Sequence, residues 1–186
     1  MNSEDLSGFL KALRFAANKH RNQRRKDKRN TPYINHPIEV CYVLTESGSV
    51  FDPAILTAAI LHDTLEDTRS APEEIRELFG SPVLDLVKEV TDDKHLPRFV
   101  RKRLQVENAS TISDAAKQIK LADKISNIRD ILENPPWSWN TRRKLDYINW
   151  AEQVAGGLRG VNKKLEDKFD ELVRISREKL DKGNRR

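Results

Sequence analysis

The stretch AAILHDTLED, residues 58–67, sets an unbroken apolar run against the polar side chains of His62, Asp63, Thr64, Glu66 and Asp67. Asp52 and Pro53 supply an N-cap and a first-turn residue in front of it, which predicts a very apolar central helix over Ala54–Glu66. A helix apolar enough to be buried cannot end in unpartnered charge without a large desolvation cost. Helical spacing puts Glu66 four residues after His62 and Asp67 four after Asp63, so each pair shares a face. Three carboxylates and an imidazole then crowd into about one and a half turns. Like charges this close repel unless a cation or a shared proton offsets them. A solvated helix end with a capping histidine gives the same pattern, and this stretch alone does not choose.

Two more distant segments bear on the choice. TPYINHP, residues 31–37, places His36 between extended chain and a helix that starts at Pro37. KLADKISNIRD, residues 120–130, places Asp123 beside the stripe of Leu121, Ile125, Ile128 and Leu132, with Asn127 one turn on. Each has a plainer reading, His36 as a cap and Asp123 as the partner of Lys120 or Lys124. Taken together, a His, a His-Asp pair and a distant Asp on separate helices follow the ligand order of an HD-type metal site. Two imidazoles and two carboxylates leave positions open on a six-coordinate cation, and mixed N/O ligation suits Mn²⁺ or Fe²⁺ rather than Ca²⁺.

The rest of the chain reads as helices. Phe9, Leu10, Leu13, Ala16 and Ala17 mark a first helix over about residues 4–20. The polar segment 22–37 is a loop or a short hairpin. Ile38, Val40, Cys41, Val43 and Leu44 lie on the helix that Gly48 ends, and further helices are expected near 72–79, 82–91, 97–107, 111–132, 141–158 and 161–180. No stretch alternates with period two long enough to promise a sheet. The expectation is an all-α chain, one domain over residues 1–180 with a frayed tail at 181–186.

Composition narrows the partners. Of 186 residues, 37% are hydrophobic and 34% charged, and no apolar run reaches the roughly 18 residues of a membrane span. Acidic residues near the N-terminus argue against a targeting peptide, so a cytoplasmic location is expected. The single cysteine, Cys41, excludes an internal disulfide and a multi-cysteine zinc site, and its apolar neighbours make it a buried structural thiol. A net charge of +5 favours anionic partners. The basic runs HRNQRRKDKR (20–29) and RFVRKR (98–103) could be solvated faces. Without interleaved aromatics they do not favour nucleic acid.

The stretches RRKDKRNTPYINHPIEV (24–40), AAILHDTLEDT (58–68), EVTDDKHLPRFVRKRLQVENA (89–109), IKLADKISNIRDI (119–131) and RRKLDYINWAEQV (142–154) closely resemble the RelA/SpoT-type HD hydrolases. They are most similar to the small stand-alone alarmone hydrolases of that family. The resemblance implies an all-helical HD-domain fold, with one short β-hairpin possible after the first helix. It implies one Mn²⁺ per chain and removal of the 3′-diphosphate from guanosine tetra- or pentaphosphate, releasing pyrophosphate. His36, His62, Asp63 and Asp123 match the family's metal ligands, and Glu66 and Asn127 match the pair near the attacking water. Arg25, Lys26, Arg143 and Tyr147 match substrate contacts, and Arg98 stands where relatives can carry a lysine facing the diphosphate. Lys124 and Ser126 depart from the LADRLHN form of the long bacterial enzymes, and they are expected to tune loop or substrate contacts.

Elementary chemistry is compatible with that proposal. A cation can acidify a water and polarise a phosphoryl oxygen. Glu66 can deprotonate the water, Asn127 can orient it, and Arg25, Lys26 and Arg98 can offset the charge of the released pyrophosphate. Tyr147 can stack on or hydrogen-bond the nucleoside. The long enzymes carry a synthetase domain after the hydrolase, so a chain of this size is expected to degrade the alarmone and not to make it. Three alternatives stay open. They are an HD phosphatase acting on another ribose-phosphorylated nucleotide such as NADPH, a non-catalytic nucleotide sensor, and a basic helical module for nucleic acid.

Overall fold

A computed structural model describes residues 2–184. Ten α-helices follow one another among these residues, and the only β-pairing is one isolated bridge. Helix α1 (Ser3–Lys19) begins with a capping box in which the Asn2 and Asp5 side chains satisfy each other's backbone N–H groups. α2 (Asn35–Tyr42) continues into a π-helical turn, Val43–Ser47, and stops at Gly48. A Cβ on Gly48 would lie 2.7 Å from the Leu44 carbonyl and 2.9 Å from Leu165, so only glycine lets the last helix pack this close.

The central helix is shorter than its hydrophobic pattern predicts. α3 (Pro53–Leu61) ends at His62-Asp63, and a separate turn, α4 (Thr64–Asp67), follows. At this corner side chains compete with the backbone ladder. His62 Nδ1 donates to the Ala59 carbonyl at 2.7 Å and Thr64 Oγ1 to the Leu61 carbonyl at 2.6 Å. His62 and Asp63, at the break, both line one cavity.

The remaining helices are α5 (Pro72–Phe79), α6 (Ser81–Val90), α7 (Arg98–Glu107), α8 (Asp114–Glu133), α9 (Thr141–Leu158) and α10 (Lys163–Asn184). α10 runs past residue 180, where a frayed tail was expected, and Arg185 and Arg186 lie outside the described residues. The expected hairpin after α1 is reduced to the bridge between Arg24 and Pro32. Arg25 N bonds Thr31 O at 2.8 Å and Tyr33 N bonds Gln23 O at 3.1 Å, but Pro32 has no N–H to extend the ladder.

α3 is the core of the molecule. Leu56, Ala58, Ala59, Ile60 and Leu61 are all buried, and the helix packs against α1, α2, α6 and α8. α8 carries the second buried set, Ile119, Leu121, Ala122, Ile125 and Ile128. His36 at the start of α2, His62 at the end of α3 and Asp123 in mid-α8 therefore stand on three mutually packed helices. Cys41 is buried and its thiol is pushed up to about 12 by that burial, as an inert structural thiol should be. No described helix is long and apolar enough to cross a membrane.

Candidate metal centre and active site

Ligand atoms of His36, His62 and Asp123 all lie within 4.8 Å of one another. His36 Nε2 is 3.1 Å from Asp123 Oδ1. Asp63 lies outside this mutual trio but borders both imidazoles, its Oδ2 lying 3.0 Å from His62 Nε2 and 3.8 Å from His36 Nε2. The Tyr33 hydroxyl donates to that same oxygen at 2.7 Å. The Ala59 carbonyl can only accept, so His62 donates from Nδ1 and turns Nε2 to the centre, the nitrogen that would give its lone pair to a cation once its proton is displaced. That buried Nε2 has no hydrogen-bond partner, so its short approach to Asp63 is not an aligned bond. Nitrogen and carboxylate donors that converge in one buried cavity are the chemistry of a divalent-cation site.

A second layer holds these donors. His36 Nδ1 lies 3.1 Å from Ser126 Oγ. Lys124 Nζ donates to Asp123 Oδ2 at 2.8 Å, and Asn127 Nδ2 donates to Asp123 Oδ1 at 2.6 Å. Residues 124 and 126 are both buried, and each touches one of the converging side chains; Lys124 also lines the cavity itself. Burial alone would raise the Asp123 and Asp63 carboxyls. The Lys124 ammonium beside Asp123 and the His62 imidazolium beside Asp63 outweigh it and hold both well below the usual range. Burial pulls His62 toward neutrality, but the Asp63 carboxylate overrides it and lifts the ring to about 9. For His36 burial wins, and its value falls below the ordinary one.

Glu66 faces the same cavity, its Oε1 accepting from Arg101 Nη1 at 3.1 Å and its Oε2 from Asp92 N at 3.2 Å. Burial, then the Asp92 and Asp63 carboxylates, raise its carboxyl to about 7, the range in which a general base is most useful at neutral pH. Asp67, its neighbour, instead binds Gln23 and Lys94 in an adjoining cavity.

Three cavities meet at Tyr147. The metal cavity, about 270 Å³, holds the His and Asp donors with Glu66, Asn127 and Arg98. A second, about 430 Å³, is bordered by Arg25, Lys26, Tyr33 and Trp139. A third, about 460 Å³, lies between α7 and α9 and is lined by Arg98, Lys102, Trp139 and Arg143. Arg25 donates to Asp130 at 2.5 Å and to Asn127 at 3.1 Å, and the Arg143 guanidinium sits 4.8 Å over the Trp139 ring. Every residue named from the sequence as a ligand, a catalytic group or a substrate contact thus borders one of these joined cavities. Arg101 and Lys102 were missed, although their spacing of three and four residues from Arg98 puts all three on one face of α7. Tyr33, Asp92 and Trp139 were also missed, with no comparable signal.

A helical core presenting His, His-Asp and Asp donors to one cavity defines the HD-domain class. The chain belongs to that family, whose model, described as HD domain, matches residues 12–148. Within it, the chain is similar to proteins named guanosine-3′,5′-bis(diphosphate) 3′-pyrophosphohydrolase MESH1. It is 50% identical to that of Xenopus tropicalis over 91% of this chain and 95% of the relative. It is 50% identical to that of Homo sapiens over 89% of this chain and 93% of the relative. A solved structure described as a metazoan ortholog of SpoT that hydrolyzes ppGpp matches with a TM-score of 0.88 and 49% identity, covering 90% of this chain and 94% of that one.

Proposed function

We propose that the chain is a Mn²⁺-dependent guanosine-3′,5′-bis(diphosphate) 3′-pyrophosphohydrolase, acting in the cytoplasm on a dissolved guanine nucleotide. The observation that carries this reading is Glu66, raised to about 7, in one cavity with the donors His36, His62, Asp63 and Asp123. The half-identity to relatives named for that activity supports the choice of substrate. When bound, the cation supplies Lewis acidity, acidifying water and offsetting phosphoryl charge.

The side chains do the rest. Glu66 takes the proton of the attacking water, and Asn127, braced by Asp123 and Arg25, orients that water. The water oxygen bonds to the phosphorus on O3′, and the P–O3′ bond breaks. The attacked phosphorus departs within pyrophosphate, while O3′ keeps the bonding pair and takes up a proton, leaving GDP or GTP. Arg98 on the cavity wall offsets the phosphate charge.

Parallel assays of guanosine tetraphosphate and NADPH with Mn²⁺ test the substrate. Pyrophosphate release from the first, faster than phosphate release from the second, is expected. Phosphate from NADPH with no pyrophosphate from the tetraphosphate would overturn the reading.

A further inference from the structure

Each oxygen of the Glu66 carboxylate has its own donor, Arg101 Nη1 on Oε1 at 3.1 Å and the Asp92 backbone N–H on Oε2 at 3.2 Å. A carboxylate oxygen offers two lone-pair positions, so one bond on each leaves room on either for a water. The two donors are themselves linked. Arg101 Nη1 lies 3.9 Å from Asp92 Oδ2, and that same oxygen accepts from Gln105 Nε2 at 2.6 Å. Gln105 stands one turn after Arg101 on α7, so α7 and the loop after α6 form one frame around the base.

Arg101 has no rival for this contact. Of the other cations lining the metal cavity, Lys124 donates to Asp123, Lys120 donates to the Val90 carbonyl at 3.3 Å, and Lys102 rests 4.4 Å from the Trp150 ring centre. Arg98 pairs with no carboxylate among the described residues. The needs of the core do not explain Arg101 either, because α7 has no buried residue and packs mainly against α9. An ion pair whose side chains are only 23% and 18% exposed is a weak source of stability, since desolvation offsets much of its attraction. What the pair does fix is the direction of a side chain with three rotatable bonds.

We propose that Arg101 is the positioning residue of the general base, holding the Glu66 carboxylate toward the attacking water. This rests on the proposed function and deepens it. Arg101 acts through Glu66 and not on the phosphates, so its effect falls on kcat. Misplacing a reacting group by about 1 Å can cost on the order of a hundredfold in rate.

The test measures kcat and KM on guanosine 3′,5′-bis(diphosphate) with the Mn²⁺-loaded full chain, for Arg101→Met and Arg101→Lys, each alone and combined with Glu66→Gln. Arg101→Met should lower kcat by about tenfold or more, with KM within about twofold of wild type. Arg101→Lys keeps the charge and a donor but not the planar fork, and it should recover part of the loss. In the Glu66→Gln background, Arg101→Met should cost less than about twofold, because the base it aims is gone. If Arg101→Met loses its helices by circular dichroism, Arg101→Lys carries the comparison, with a several-fold loss expected only while Glu66 is present. A raised KM with kcat unchanged, an equal loss with and without Glu66, or a lysine variant no better than methionine overturns the role. No pyrophosphate release by the wild type overturns the underlying function, and the role falls with it.

Discussion

The donors of the metal cavity and the cations of the α7–α9 cleft are held by different means. Each metal-site donor has a second protein partner, namely the Ala59 carbonyl behind His62, Ser126 behind His36, Lys124 and Asn127 on Asp123, and Tyr33 on Asp63. Two of the cleft's cations instead lean on flat aromatic faces, Arg143 on Trp139 and Lys102 on Trp150. Directional hydrogen bonds fix an atom to within tenths of an ångström, whereas a cation over a ring can slide at little cost. The first arrangement fits chemistry that needs fixed geometry. The second fits recognition of a ligand that completes the charge balance on arrival.

That contrast can be broken by substitution. His62→Ala should cause the largest loss, about a thousandfold or more in kcat, because it removes a donor from the cation on which the reaction depends. Far-ultraviolet circular dichroism should show the helices retained, and residual activity within tenfold of wild type would move the chemistry elsewhere. Glu66→Gln should lower kcat by roughly 10²–10⁴ while Mn²⁺ stoichiometry stays at one per chain by calorimetry. The same residue sets a pH dependence. A carboxyl raised to about 7 is protonated below that pH and cannot act as a base, so kcat should fall as pH drops through it. That limb should vanish in Glu66→Gln.

Smaller effects sharpen the comparison. Ser126→Ala leaves every donor in place and frees the His36 ring, so Mn²⁺ affinity should weaken by about tenfold with KM little changed. Trp139→Ala works on the other side of the contrast. It removes the ring under Arg143, and KM should rise several-fold, roughly what a desolvated cation–π contact is worth, with kcat nearly constant. A large kcat loss in Trp139→Ala, with KM unchanged, would erase the distinction between the two regions.

The converging residues were legible because they sit in short contiguous motifs. Asp123 stands two residues from Leu121 and from Ile125, across α8 from that stripe, and it is covered because α8 is buried on more than one side, at Lys120, Ala122, Lys124 and Ser126 as well. The break after Leu61 was not legible, since it comes from His62 and Thr64 bonding back to carbonyls while the apolar pattern runs on unbroken. The contact of Ser126 with His36 was not legible, because it is set by how α8 meets α2. Trp139 lies in a loop after Pro135-Pro136. Its place over the site depends on a backbone bond from Trp137 to Lys26, a pairing across more than a hundred residues that no local pattern encodes.

Product analysis on chelator-treated protein, assayed with guanosine 3′,5′-bis(diphosphate) before and after Mn²⁺ is restored, tests the central claim most directly. Pyrophosphate and GDP should appear in equal amounts, and only with the metal present. Turnover that survives chelation, or inorganic phosphate without pyrophosphate, would contradict it.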